Sequence, residues 1–212
     1  IFEGRSYDSF DELSYLASNA DLLEAYGANT SSVVLHYINF GYAEGRSKDS
    51  FDANSYLASH ADLLAAFGSN KTSAISHYIN DGFSESRSTD SFNEFSYIAS
   101  HDDLLTKYGV NDGAAATAHY VTTGYASGKA SDIFDEYGYI ASYADLISAF
   151  GNDTLSATKH YIEHGNTEGR TVSFDAASYL AGHADLNAAF GNDHTLAKKH
   201  YINFGFDEGR IL

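Results

Sequence analysis

The chain has 212 residues, with 12 Lys and Arg against 29 Asp and Glu, a formal net charge of −17, 43% hydrophobic residues and no Cys, Pro, Met or Trp. That apolar content supports a core and excludes a disordered chain, while the charge repels nucleic-acid phosphates and anionic membranes. Without Cys there is no disulfide frame, thiolate zinc site, iron–sulfur cluster or cysteine nucleophile, and no apolar run approaches the roughly 18 residues of a membrane span.

Residues 1–9, with Glu3-Gly4-Arg5, read as the tail of an earlier copy of a repeat whose body is absent, so the chain is expected to be a segment of a longer array. Five copies follow, over 10–50, 51–91, 92–133, 134–173 and 174–212. Phe10, Phe51, Phe92, Phe134 and Phe174 open them, and Tyr15, Tyr56, Tyr97, Tyr139 and Tyr179 come five residues later. An Asp (Asp21, Asp62, Asp103, Asp145, Asp185) and a Gly (Gly27, Gly68, Gly109, Gly151, Gly191) recur next. A His-Tyr pair then leads to Gly41, Gly82, Gly124, Gly165 or Gly205, and Arg46, Arg87, Lys129, Arg170 or Arg210 closes the unit.

Each copy is predicted to hold three helices. Asp11, Asp52, Asn93, Asp135 and Asp175 stand where an N-cap accepts a backbone hydrogen bond, opening a short helix through Tyr15-Leu16-Ala17 and its counterparts. Ser18-x-x-Asp21 has capping-box spacing, so a second helix carrying Leu22, Leu23, Ala25 and Tyr26 is expected to end at Gly27 in a left-handed C′ position. A third helix starts near Asn29-Thr30 and runs to the Gly after His-Tyr. On it the recurring residues cover an arc of about 200°, wider than the roughly 100° stripe of a surface helix, so it must be covered from more than one side. Positions such as Leu35, Ser76, Ala118, Lys159 and Lys199 vary and are expected to point outward. The fold class is therefore all-α: tandem helical repeats, five copies of about 41 residues, stacked as an α-solenoid-like array and forming one cooperative repeat domain.

The residues that invite chemistry are His36, His77, His119, His160 and His200, because imidazole ligates metals and titrates near neutrality. With one per copy there is no i, i+4 pair, and the spacing favours a ring packed on an aromatic and hydrogen-bonded to a backbone carbonyl. A second register holds His60, His101 and His183, with Asn19 and Tyr143 in the other two copies, which a metal ligand set would not tolerate in every unit. The Asp21 register is expected to cap helices. Glu44, Glu85, Glu168 and Glu208 precede the closing Arg by two residues, and in the third copy Ser127 and Lys129 replace acid and cation together, which points to one local network. Tyr42, Phe83, Tyr125 and Phe206, beside Phe40 and Phe204, are candidates for a face that contacts sugar or protein.

No EF-hand, calcium β-roll nonapeptide, Gly-x-Ser-x-Gly elbow, Walker loop or His-Glu-x-x-His helix occurs, and near-identical copies argue against the asymmetric constellation that catalysis needs. No cofactor is required by the sequence; calcium or a His-bound metal is left open.

Tyr-Leu-Ala-Ser-x-x-Asp-Leu, followed by Gly, His-Tyr and Glu-Gly-Arg, resembles the roughly 40-residue repeats of large bacterial exported proteins that often carry hemolysin-type calcium-binding segments elsewhere. Nearly the whole chain takes part. The resemblance implies a bacterial extracellular or cell-surface location and a role in attachment or adhesion, with protein or glycan partners and neighbouring repeats of a longer parent chain. Copies of that family often carry Pro before Asp-Leu, where Ala20, Ala61, Asp102, Ala144 and Ala184 stand here. A fainter likeness, through the spacing of small residue, aromatic and Gly, is to Sel1-type helical repeats. The leading expectation is a non-catalytic module serving as spacer and binding scaffold. The alternatives are a metal- or cofactor-binding array using the His registers, or an accessory segment of a secreted enzyme.

Overall fold

The computed structural model describes residues 10–210, and every described element is helical. Copy one has α1 (Glu12–Ala17), α2 (Ala20–Tyr26) and α3 (Thr30–His36), and copy two has α4 (Ala53–Ala58), α5 (Ala61–Phe67) and α6 (Lys71–His77). The third has α7 (Glu94–Ala99), α8 (Asp102–Leu105) and α9 (Gly113–His119); the fourth has α10 (Glu136–Ala141), α11 (Ala144–Phe150) and α12 (Thr154–His160). The fifth has α13 (Ala176–Gly182), α14 (Ala184–Phe190) and α15 (His194–His200).

Capping explains the starts. Asp11 Oδ1 accepts from the N–H groups of Leu13 and Ser14 at 3.0 Å each, Asp52, Asn93 and Asp175 repeat the arrangement, and Asp135 accepts from the Gly138 N–H. Third helices are capped by Asn29, Asn70, Asp153 and Asp193, each accepting from the N–H three residues on.

Three local expectations are corrected. The second helix has no side-chain cap: its N-cap is Asn19, His60, His101, Tyr143 or His183. The serine of the supposed capping box is committed elsewhere, since Ser18 Oγ donates to the Ser14 carbonyl at 2.7 Å and accepts the Phe51 N–H of the next copy at 3.0 Å. Gly27 is not left-handed. At φ 54° and ψ −139° it occupies the first central position of a type II′ turn, closed by the Asn29 N–H on the Tyr26 carbonyl at 3.2 Å. Gly109 departs further, because the third copy carries one extra residue; α8 stops at Leu105 and the Gly109 N–H donates to Asp112 Oδ2.

The third helix does not run to its glycine as a uniform α-helix. After each His the chain widens into a five-residue π-helical segment, Tyr37–Gly41, Tyr78–Gly82, Tyr120–Gly124, Tyr161–Gly165 or Tyr201–Gly205, marked by an N–H to C=O bond five residues back, such as Phe83 to Tyr78 at 2.8 Å. A Schellman-type stop follows: the Arg46 N–H reaches the Gly41 carbonyl and the Gly45 N–H the Tyr42 carbonyl, with Gly45 at φ 67°. In copy two Ser86 takes this position at φ 56°, the sole described non-glycine with positive φ.

The described chain divides into two compact units, one running to Phe92 and including Thr117–Lys129, the other comprising Asn93–Ala116 and the residues from Ala130 on. In the first, α1 packs on α6 and its π segment, and α4 on the segment Tyr120–Gly124. In the second, α7 packs on α12 and its π segment, and α10 on α15 and its π segment. One rule thus holds in both units: the first helix of a copy lies on the third helix of the next. The joint buries Ile79 and Val121 in one unit and Ile162 and Ile202 in the other. It also uses the variable position expected to point outward: Lys159 sits over the Phe95 ring and Lys199 over Tyr137, each on the preceding copy.

Candidate functional site

The first helix holds a tyrosine with no exposed surface, Tyr15, Tyr56, Tyr97, Tyr139 or Tyr179. Its hydroxyl crosses to the third helix and shares a hydrogen bond with the register histidine: Tyr15 with His36 Nδ1 at 3.2 Å, Tyr56 with His77 at 3.0 Å, Tyr139 with His160 at 2.9 Å and Tyr179 with His200 at 3.0 Å. The partner is thus a tyrosine rather than the backbone carbonyl expected. Below it the glycine that ends the π segment has no room for a side chain, because a β-carbon on Gly41, Gly82, Gly165 or Gly205 would collide with that hydroxyl. Tyr, His and Gly are therefore one three-point contact spread over 26 residues. Burial raises the pKa of Tyr15, Tyr56, Tyr139 and Tyr179, that of Tyr56 to about 12, so they are protonated at neutral pH.

The opening Phe completes the cluster. Phe51 stacks on Tyr78 with centroids 4.6 Å apart, as Phe10 does on Tyr37 and Phe134 on Tyr161, while the buried Tyr56 meets Tyr78 edge-on. Of the candidate contact aromatics, Phe83 and Phe206 lie half-buried with edges against Tyr78 and Tyr201. Tyr125 is likewise half-buried, against Tyr120, and its hydroxyl donates to the Ala61 carbonyl at 3.2 Å. Tyr42 is open, at 77% exposure, as are Phe40 and Phe204 beside this register.

The outer edge of the His ring faces a shallow open groove in copy two, lined by Phe67, Ser73, Ser76, His77, Asn80 and Asp81. Phe67 lies beside the ring at 5.8 Å; Tyr26, Phe150 and Phe190 repeat this contact. Phe40, His164 and Phe204 flank the other side in copies one, four and five. In the fourth copy, burial and then the Arg170 charge push His160 below its ordinary value.

The Asp21 register does not cap helices. Arg46 donates to Asp21 at 2.8 Å and to Glu44 at 2.6 Å, and Arg87, Arg170 and Arg210 make the same fork with Asp62 and Glu85, Asp145 and Glu168, and Asp185 and Glu208. The network closes inside a copy rather than between copies. Guanidinium hydrogen bonds hold the carboxyl groups of Asp21, Asp62 and Asp185 below the usual carboxylate range. The acid-to-Arg spacing of two residues was legible, whereas the Asp 25 residues upstream gave no local signal.

The second register is a tether. Asn19 donates to the Ser47 carbonyl, His60 and His101 use Nε2 on the carbonyls of Ser88 and Ala130, and Tyr143 donates to Thr171. Among the described residues no group of three or more His, Asp or Glu side chains is placed to hold a metal ion, and no helix is long and apolar enough to cross a membrane.

No family model matches the chain, and neither a curated protein nor a solved structure matches it.

Proposed function

We propose that the chain is a non-catalytic repeat module of a bacterial extracellular or cell-surface protein, a spacer and scaffold that presents a repeated face to a protein or glycan. One observation carries this reading: the recurring residues are spent on building each copy and on joining it to the next. Tyr56, His77 and Gly82 lock the first helix to the third, Ser59 receives the N–H groups of Ser91 and of Phe92, the latter opening the next copy, and Arg87 ties the end of the copy to Asp62. What is left open to solvent, such as the groove beside His77, differs in lining from copy to copy. A repeated frame with varied exposed residues suits presentation, and the resemblance to exported bacterial repeats supplies the setting.

The metal-array alternative has weaker support, because Nδ1 of His36, His77, His160 and His200 is already engaged by tyrosine, leaving one ring nitrogen per copy. The test is a glycan array and a surface-protein pull-down with the 212-residue chain, run beside hydrolase and transferase substrate panels and metal analysis. Selective binding without turnover is expected. Turnover on any substrate, or stoichiometric metal lost in His77→Ala, overturns the reading.

A further inference from the structure

Four residues after each register histidine, inside the π segment, stand Phe40, Asp81, Thr123, His164 and Phe204. In copies one and five this residue is a ring packed beside the histidine, with centroids 5.8 and 5.7 Å apart; in copy four a second imidazole takes the place, at 5.5 Å and inclined by 62°. An i, i+4 histidine pair, which a count of one register histidine per copy leaves out, is therefore present at His160 and His164, inside one compact unit.

Two imidazoles on one tetrahedral ion, each through a metal–nitrogen bond of about 2.0–2.1 Å, have their centroids roughly 5 Å apart. A small rotation of His164, whose side chain is 61% exposed, brings the observed pair to that distance. His160 is the fixed half. Tyr139 holds its Nδ1 at 2.9 Å and Phe150 backs the ring at 5.6 Å, which leaves Nε2 to bind. An ion on Nε2 keeps the proton on Nδ1, where it donates to the Tyr139 oxygen, an outer partner of the kind that orients metal-bound imidazoles. Glu163 Oε2, 3.9 Å from His164 Nε2, adds negative charge beside the pair. The Arg170 charge that His160 feels is offset by Asp145 and Glu168, both bonded to that guanidinium.

We propose that His160 Nε2 and a ring nitrogen of His164 chelate one divalent transition-metal ion, with water filling the remaining positions. Imidazole ligands favour copper, nickel and zinc over calcium and magnesium, which take oxygen, and a given site holds Cu2+ more tightly than Zn2+. The site differs from an array across the His registers because it needs no neighbouring copy. An ion held here survives His77→Ala, and its absence leaves the scaffold reading untouched.

The experiment is calorimetric titration of the untagged 212-residue chain with Zn2+ and, separately, Cu2+. One equivalent of each is expected, Cu2+ the tighter, with Zn2+ binding unaffected by excess Ca2+ and shifting the ring signals of His160 and His164 in NMR spectra. His164→Phe installs the ring that copies one and five carry, so it keeps the packing, and it is expected to weaken binding by about tenfold or more. Zn2+ is expected to raise the melting temperature of the parent and not of this variant, whose metal-free melt matches the parent's. Phe204→His, beside a His200 whose Nδ1 Tyr179 holds at 3.0 Å, is expected to add a second equivalent. No binding of either ion, displacement of Zn2+ by Ca2+, unchanged affinity in His164→Phe, or no second equivalent in Phe204→His overturns the proposal.

Discussion

The hydroxyl of Tyr56 fills the space in which Gly82 would carry a β-carbon, and from there it reaches His77 Nδ1 at 3.0 Å. The glycine is therefore a contact surface rather than a hinge, and Gly82→Ala is expected to destabilise by about 1–3 kcal/mol through overpacking. In a Tyr56→Phe background the same substitution costs less, since the colliding oxygen is gone. Denaturant unfolding of the two single variants and the double variant measures this coupling, and strict additivity contradicts it.

Ser86 holds a positive φ that a β-carbon disfavours, at the position where Gly45, Gly128, Gly169 and Gly209 stand in the other copies. Ser86→Gly is expected to stabilise by about 1 kcal/mol, the relief of left-handed strain outweighing the extra freedom of the unfolded chain. A lower denaturation midpoint for the variant sinks this.

Tyr78 is 7% exposed and stacks on Phe51. Tyr78→Ala is expected to cost about 3–5 kcal/mol. A loss below about 1 kcal/mol in chemical denaturation removes the core assignment.

Ser100 joins copies three and four by accepting the N–H groups of Ile133 and Phe134 at 2.9 and 3.0 Å. Ser100→Ala leaves the half-buried Phe134 N–H without its acceptor, at a cost of about 1–2 kcal/mol, while Ser100→Thr retains the bond. Hydrogen exchange at the Phe134 amide reads the loss directly.

A histidine and several carboxylates give stability a pH dependence. His160 has its folded value pushed down, so it favours folding above its unfolded value, near about 6.5, and stability falls as pH drops through that value toward the folded one. Asp21, Asp62 and Asp185 are also depressed, and their contribution, present above an unfolded value of about 3.9, is lost at lower pH still. These carboxylates are well exposed, so their effect is small. Melting temperatures of the parent and His160→Gln between neutral and mildly acid pH are expected to diverge, the variant showing the shallower slope.

Contacts within a turn or two of chain were legible in the sequence. Asp11 and Asn29 cap their helices as their spacing indicates, and the repeated Phe, Tyr and His-Tyr positions lie in the core or at its edge. Contacts between helices were not. Ser18 looked like a cap because its spacing to Asp21 fits one, yet its oxygen serves the next copy and the aspartate serves an arginine 25 residues downstream. Gly41 looked like a helix end because periodicity sees only its own helix, whereas its reason is a tyrosine 26 residues upstream. Leu35 is exposed as its place on the helical wheel indicates, whereas Lys159 and Lys199 of the same register lie over rings of the preceding copy, a neighbour the wheel does not contain.

The tether at Asn19, His60, His101 and Tyr143 ends on a main-chain oxygen in every case. A main-chain oxygen asks only for reach and a polar hydrogen, so an amide, an imidazole and a phenol all satisfy it. Exchange among these side chains keeps the tether while it repaints the rim of each unit, giving similar modules individual surface characters.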